Sequence, residues 1–288
     1  MKKTRHKKYS EQELLEIIPN YSAAIVGSDP FTKQVIEAGK KLKILAKNGV
    51  GVDNIDLQAA AEHDIIVTNT PGTVETSVAE TTIGLILALY HNICIADRQQ
   101  RQGKWPRMIG NELSGKTIGI VGLGHIGKKV AAYARAFSMN VQAYDPLIDL
   151  DYCLIHNICA CSFEELIATS DIVSIHTPLS PGNSHLIDKN IIRAMKSNAC
   201  LINTARGGLV DEEALYEALK NHTIRAAAID CFSHEPTIAG NRFFDLDNCI
   251  VTPHIAGYSQ EANSLSGMIA AKSIVAVFEG MKPEHIVN

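Results

Sequence analysis

Arg206, Glu235 and His254 each follow a short apolar run: CLINTA (200–205), AAAIDCF (226–232) and CIVTP (249–253). If these runs are parallel strands, the three residues emerge at one edge of a sheet, the edge where such sheets bind ligands. An arginine, a carboxylate and an imidazole gathered there suit hydride transfer to a 2-oxo acid. Reduction at the carbonyl carbon leaves an alkoxide that needs a proton, and a histidine paired with a carboxylate can hold that proton near neutral pH. Arg206 would polarise the carbonyl and grip the adjoining carboxylate through its planar fork. Each residue also fits a plainer role: Arg206 as a surface cation in ARGG, Glu235 as a loop acid before Pro236, His254 as part of a Pro-His turn.

The hydride source is written in the stretch TIGIVGLGHIGKKVAAYARAFSMNVQAYD (117–145). An apolar strand runs into Gly122, Gly124 and Gly127 at G-x-G-x-x-G spacing, and Ile126, Val130, Ala134 and Phe137 then recur at helical intervals. The first glycine permits the tight turn, the second lets a pyrophosphate approach the backbone, and the third lets helix and strand pack closely. The helix start supplies the anion site. Asp145 ends the next strand eighteen residues after Gly127, where a carboxylate can bond both hydroxyls of an adenosine ribose. That acid would repel a 2′-phosphate, and Pro146 and Leu147 offer no cation for one, so NAD is expected rather than NADP.

The elements that must position these residues alternate along the whole chain. Strands are expected at 22–27, 42–48 and 64–69, with helices at 30–40 and 57–62. One long helix from Ser77 to Gly103, capped by Thr76 or Ser77, then leads to the glycine-rich unit. After Asp145 come helices at 163–169, 188–196 and 211–221, strands at 171–177, 200–205, 226–230 and 249–253, and a last helix at 259–279. The class is α/β with parallel sheets. A dinucleotide-binding domain, 96–258, is inserted into a second domain made of 1–95 and 259–288. The long helix has a wider apolar face than one chain would cover, which points to a homodimer.

Composition narrows the function classes. A net charge of −4 carries no polyanion signal, so no nucleic-acid partner is expected. No apolar stretch reaches the 18 or so residues of a membrane span. The basic start MKKTRHKK lacks an apolar core and reads as a solvated tail rather than a signal peptide. Seven cysteines without a C-x-x-C pair suggest reduced, mostly buried thiols in a cytoplasmic protein. Cys159 and Cys161 are placed on a loop, and no metal ion is expected there or elsewhere.

Seven stretches together carry a resemblance: NGVGVDNID (48–56), SVAE (77–80), GKW (103–105), GKTIGIVGLGHIGKKVA (115–131), NTARGGLVDEEAL (203–215), AAIDCFSHEP (227–236) and TPHIAG (252–257). The chain from about Glu13 resembles the D-isomer-specific 2-hydroxyacid dehydrogenase family. The resemblance implies a Rossmann NAD-binding domain inserted into a flavodoxin-like substrate domain. It implies that Arg206 binds substrate, that Glu235 pairs with His254, and that His254 gives and takes the proton. The amides of Asn48, Gly49, Val50 and Gly51 would cradle the substrate carboxylate, with Val50 near the nicotinamide. Gly122, Gly124, His125, Ile126, Gly127, Asp145, Thr177, Thr204, Ala205, Arg206, Asp230, His254 and Gly257 would line the NAD.

Within the family the chain reads most like the phosphoglycerate dehydrogenases, which implies 3-phosphoglycerate and phosphohydroxypyruvate as the substrate pair. Reduction of glyoxylate, hydroxypyruvate or another 2-oxo acid is the alternative, and a non-catalytic regulator that binds NADH is the reading from another class. Departures bear on the substrate: Lys47 and His91 stand where arginine is usual, and IAGYSQEA (255–262) is atypical. Lys47 and Arg107 are the cations available for a substrate phosphate. The family's first strand, central in a flavodoxin-like sheet, has no counterpart ahead of Glu13, so a neighbouring strand is expected to lack a partner.

Overall fold

The computed structural model describes residues 8–288, so all of the basic MKKTRHKK run but its last residue lies outside the described residues. Two compact α/β units make up the chain. One comprises the described residues up to Val74 together with Tyr258–Asn288, and the other is Glu75–Gly257. Residues 75–95, expected in the first unit, cluster with the second.

In the first unit Ser10 and Glu13 form a capping box that starts α1 (Glu11–Ile17). Then β1 (Ala23–Val26), α2 (Lys33–Ala38), β2 (Ile44–Lys47), α3 (Leu57–Glu62) and β3 (Ile66–Thr68) alternate. The strands pair in parallel in the order β1-β2-β3. Because side chains alternate across a strand, Leu45 joins Val26, Val35 and Phe31 in one core, while Ile44 and Ala46 point to the other face. The last residues line the outer edge of β3: the Val287 N–H donates to Val67 O at 2.9 Å. Among the described residues β1 has a neighbour on one side only, and Ile25 on it is 49% exposed. A flavodoxin-like order reversal would need a strand on that open side, where the described residues place none.

The second unit opens with α4 (Glu75–Tyr90) and α5 (Ile93–Arg101), bent by 63° from each other. This corrects the expected single helix from Ser77 to Gly103. Asn92 takes a left-handed conformation, φ 56°, which asparagine tolerates better than most residues, and the helix breaks there. Nor do Thr76 or Ser77 cap α4, since both lie inside it. The apolar face of α4 is covered within the chain: Ala79, Ile83, Ile86 and Leu89 share a core with Ile118, Ile120, Val130 and Ala134. Burying a side chain such as Ile86 contributes about 1.5–3 kcal/mol. That coverage draws 75–95 into this unit and removes the argument for a dimer drawn from an uncovered helix face.

The βα rhythm continues through β4 (Thr117–Val121), α6 (His125–Ala136), β5 (Asn140–Tyr144), α7 (Leu150–Ile155), β6 (Cys159–Ala160), α8 (Phe163–Thr169), β7 (Ile172–Ile175), α9 (Lys189–Ala194), β8 (Cys200–Asn203), α10 (Glu212–Lys220), β9 (Ala226–Ile229) and β10 (Cys249–Val251). Helix α7 and strand β6 were not expected; Cys159 lies in a strand rather than a loop. All seven strands are parallel in the order β10-β9-β8-β7-β4-β5-β6, the Rossmann arrangement. The order reverses at β4, so a crevice opens beside the turn that follows it. Helix α11 (Gln260–Phe278) belongs to the first unit, where Ala270 packs on Ile44 and Ala46.

No single helix among the described residues is long and apolar enough to cross a membrane. All seven cysteines are free: Cys153, Cys200 and Cys231 are buried, Cys161 and Cys249 half-buried, Cys94 and Cys159 exposed.

Candidate active site

The turn after β4 has the shape its glycines require. Gly122 adopts φ +98°, and a Cβ there would come within 2.7 Å of the His176 carbonyl. A Cβ on Gly127 would lie 2.1 Å from Gly122 O, so α6 reaches the strand only because that side chain is absent. Gly124 faces open space and serves as N-cap of α6 without any side-chain cap. The first-turn N–H groups of α6, those of His125, Ile126 and Gly127, are therefore left for an anion such as a pyrophosphate. Asp145 follows β5 and accepts from the Leu123 N–H at 2.8 Å and the Leu147 N–H at 2.9 Å. These bonds fix the carboxylate and leave lone pairs on both oxygens for ribose hydroxyls. The residues present thus fit an adenine dinucleotide.

The remaining predicted residues follow the other strands at the same end of the sheet. Thr177 comes after β7, and Thr204, Ala205 and Arg206 come after β8. Thr204 is buried, its hydroxyl 3.0 Å from that of Thr82 on α4. Asn203, at the end of β8, accepts from the Ala205 N–H and donates to Arg206 O at 2.9 Å, which shapes the loop presenting Arg206. Nearby, burial pushes the His176 imidazole down to about 3, and its Nε2 lies 2.8 Å from Ser174 Oγ. That fits a structural role for His176.

His254 and Glu235 meet directly. His254 Nδ1 lies 2.8 Å from Glu235 Oε2, while the Phe232 N–H donates to Oε1 at 2.9 Å. Burial pushes the Glu235 carboxyl up, but the bonds from His254 and Phe232 and the charges of His254 and Arg206 outweigh it, holding the group below the usual glutamate range. The His254 side chain is 44% exposed, so the ring stays open to solvent. His254 sits at φ 53°, a left-handed backbone uncommon for a non-glycine residue.

Asp230 holds that backbone in place. It is fully buried after β9, and its carboxylate accepts from Thr252 Oγ1 at 2.6 Å, the Ile255 N–H at 2.9 Å and the Ala256 N–H at 2.9 Å. Its own carbonyl accepts from the His254 N–H at 2.8 Å. From α4, Ser77 Oγ donates to Ala256 O at 2.7 Å, just ahead of Gly257. The sequence reading assigned Asp230 to the cofactor; within the chain its carboxylate positions the histidine loop. Thr252, Ser77 and Asn203 were missed, although a polar residue closing an apolar strand, as in LIN, was a readable signal.

In the first unit the loop 48–51 follows β2. The Asn48 N–H donates to Val26 O at 2.9 Å and the Gly49 N–H to Thr70 Oγ1 at 2.9 Å. Gly49 adopts φ +141°. Two of the four amides expected to bind a carboxylate are thus already engaged. The N–H groups of Val50 and Gly51 have no acceptor among the described residues. Lys47 is buried, and its ammonium donates to Gly27 O at 2.5 Å and Asn54 Oδ1 at 2.6 Å. It braces the loop instead of presenting a charge to solvent. Arg107 is exposed.

Residues 83–256 match the family described as D-isomer specific 2-hydroxyacid dehydrogenase, NAD binding domain. The chain belongs to that family. It is 44% identical over 283 residues to a D-3-phosphoglycerate dehydrogenase of Methanocaldococcus jannaschii, covering 97% of this chain and 54% of the relative. It is 40% identical over 287 residues to a glyoxylate reductase of Thermofilum pendens, covering 97% and 85%. Among solved structures, the TT0316 protein of Thermus thermophilus superposes with a TM-score of 0.88 at 35% identity, covering 96% of this chain and 89% of that one. The chain spans about half the length of the phosphoglycerate dehydrogenases it matches. Both residues of the hydrogen-bonded pair, Glu235 and His254, fall inside the matched segment.

Proposed function

We propose that this chain is an NAD-dependent dehydrogenase that moves a hydride between NAD(H) and a small D-2-hydroxy acid or its 2-oxo partner. The observation that carries this reading is the 2.8 Å contact between His254 Nδ1 and Glu235 Oε2 at the carboxyl end of a Rossmann sheet that also presents Arg206. When bound, the nicotinamide supplies or accepts the hydride. Arg206 holds the substrate carboxylate and draws charge toward the carbonyl oxygen. Glu235 keeps Nδ1 of His254 protonated, so that Nε2 faces the substrate oxygen. His254 delivers a proton to that oxygen as it becomes an alkoxide and recovers one in the reverse direction. In the first unit, the unengaged Val50 and Gly51 amides can donate to an anionic oxygen.

Substrate identity is the finer part of the proposal. The identity to phosphoglycerate dehydrogenases supports 3-phosphoglycerate and phosphohydroxypyruvate as the pair, and hence a role in serine biosynthesis. One observation favours the second reading, a reductase of glyoxylate, hydroxypyruvate or another unphosphorylated 2-oxo acid: Lys47 spends its ammonium on Gly27 and Asn54. A homodimer, placed in the cytoplasm, completes the proposal. Exposed apolar side chains on the second unit support the dimer: Ile93 is 52%, Trp105 80% and Ile109 94% exposed.

The experiment is NADH oxidation at 340 nm with phosphohydroxypyruvate, hydroxypyruvate, glyoxylate, pyruvate and a branched 2-oxo acid. A preference of about tenfold or more in kcat/KM for phosphohydroxypyruvate, worth about 1.4 kcal/mol of transition-state binding, supports the first reading. Turnover of unphosphorylated acids alone selects the second. NADH binding without any turnover would leave the chain as an NADH-binding regulator and end the enzymatic proposal.

A further inference from the structure

Cys231 follows Asp230 and is buried, 2% exposed, yet its Sγ, a carboxylate oxygen of Glu235 and a ring nitrogen of His254 all lie within 4.8 Å of one another. The mechanism above gives this thiol no task. A thiol, a carboxylate and an imidazole are the donor types that zinc selects, at bond lengths of about 2.0–2.3 Å. Donors in a tetrahedral set stand roughly 3.5 Å apart at those lengths, so side-chain shifts of about 1 Å would close the three around an ion. The His254 and Glu235 side chains are 44% and 32% exposed, which leaves solvent access for an ion and room for a fourth ligand.

We infer that Cys231, Glu235 and His254 form a reversible site for a thiophilic divalent cation of the Zn²⁺ class, and that its occupation switches the enzyme off. Binding forms Zn–S, Zn–O and Zn–N bonds. The thiol proton leaves to solvent, and the proton on His254 Nδ1 leaves that atom. Thiolate and carboxylate together bring two negative charges against the dication, whereas Arg206 close by opposes it. Three protein ligands beside an opposing guanidinium make the site regulatory in strength rather than structural. Inhibition follows from the atom that is taken. With the ion on Nδ1, His254 loses its bond to Glu235, the contact on which its role as proton donor rests.

Metal binding itself does not depend on the dehydrogenase reading; the inhibition does, so the two are measured apart. Co²⁺ is titrated into the full chain without NADH, with absorption followed in the near ultraviolet and the visible, and the titration is repeated with Cys231→Val and Cys231→Ser. The expected result is a thiolate-to-cobalt charge-transfer band in the parent protein, lost in both variants and abolished by added Zn²⁺. Zn²⁺ inhibition of NADH oxidation with any 2-oxo acid turned over should weaken at least about tenfold in Cys231→Val, with turnover in metal-free buffer unchanged. No band in the parent, or equal Zn²⁺ sensitivity of parent and variant, would overturn the inference. A band without turnover of any substrate would leave the metal site standing and sink the dehydrogenase reading instead.

Discussion

Two buried charges pin two functional loops, and they do it in opposite ways. Asp230 in the second unit is an anion that collects donors, one hydroxyl and two amides, and so fixes the backbone from Thr252 to Ala256 around His254. Lys47 in the first unit is a cation that collects acceptors, Gly27 O and Asn54 Oδ1, and so ties the start of the 48–51 loop to the loop after β1. Burying either charge alone would be costly; each persists because its partners replace water. The anion consumes amides that no substrate needs. The cation consumes carbonyls and leaves the Val50 and Gly51 amides to bind. The comparison teaches that the first loop is built to present backbone and the second to present a side chain.

The sharpest test removes that side chain. His254→Ala should lower turnover by about 10²–10⁴-fold while NADH affinity, measured by fluorescence titration, changes little. Unchanged turnover would take His254 out of the mechanism.

Asp230→Ala should come next. It strips the acceptor from one part-buried hydroxyl, one part-buried amide and the buried Ala256 amide, at about 1–3 kcal/mol for a fully buried group and less for the others, so urea unfolding should show a loss of roughly 2–4 kcal/mol with a fall in kcat. Asp230→Asn keeps an acceptor and should recover part of both.

Lys47→Met should cost less, about 1 kcal/mol, because Asn54 Nδ2 still donates to Gly27 O at 3.1 Å. It should raise KM for the 2-oxo acid more than it lowers kcat. If Lys47→Met instead abolished kcat while Asp230→Ala changed only KM, the contrast between the loops would be reversed and the assignment wrong.

The last test is of pH dependence. The folded-state values of His176 and Glu235 are both depressed. Each therefore contributes stability that is present above its unfolded value and lost as pH falls toward its folded one. For His176 that window runs from 6.5 down to about 3. Unfolding followed from pH 7 downward should lose stability less steeply in His176→Gln than in the parent. Glu235→Gln should flatten only the lower part, below the ordinary glutamate range. An acid limb unchanged in both variants would remove these groups from the balance.

Much of the second unit was legible because its signals are local. The glycine turn, the helix behind it and Asp145 occupy one continuous stretch, and the clash that Gly127 avoids lies within that same turn, at Gly122 O. Arg206, Glu235 and His254 could be read as strand-end residues from flanking apolar runs, and the family resemblance supplied their roles. The break at Asn92 was not legible, since αL geometry in one residue leaves the apolar period on both sides intact. Helix α7 was missed because Leu150, Leu154 and Ile155 are exposed, so hydrophobic spacing carries no helical imprint there.

By itself, then, the sequence determined the α/β alternation, the dinucleotide turn and which residue types stand at the strand ends, because those follow from short-range sterics and periodicity. Only the tertiary structure decided which polar groups are consumed and which are left over. That Asp230 serves the loop of His254, that Lys47 ties the loop of Val50 to Gly27, and that Cys231 lies beside His254 are relations between residues distant in sequence. They are settled by the requirement that every buried donor and acceptor find a partner in three dimensions, which no local pattern encodes.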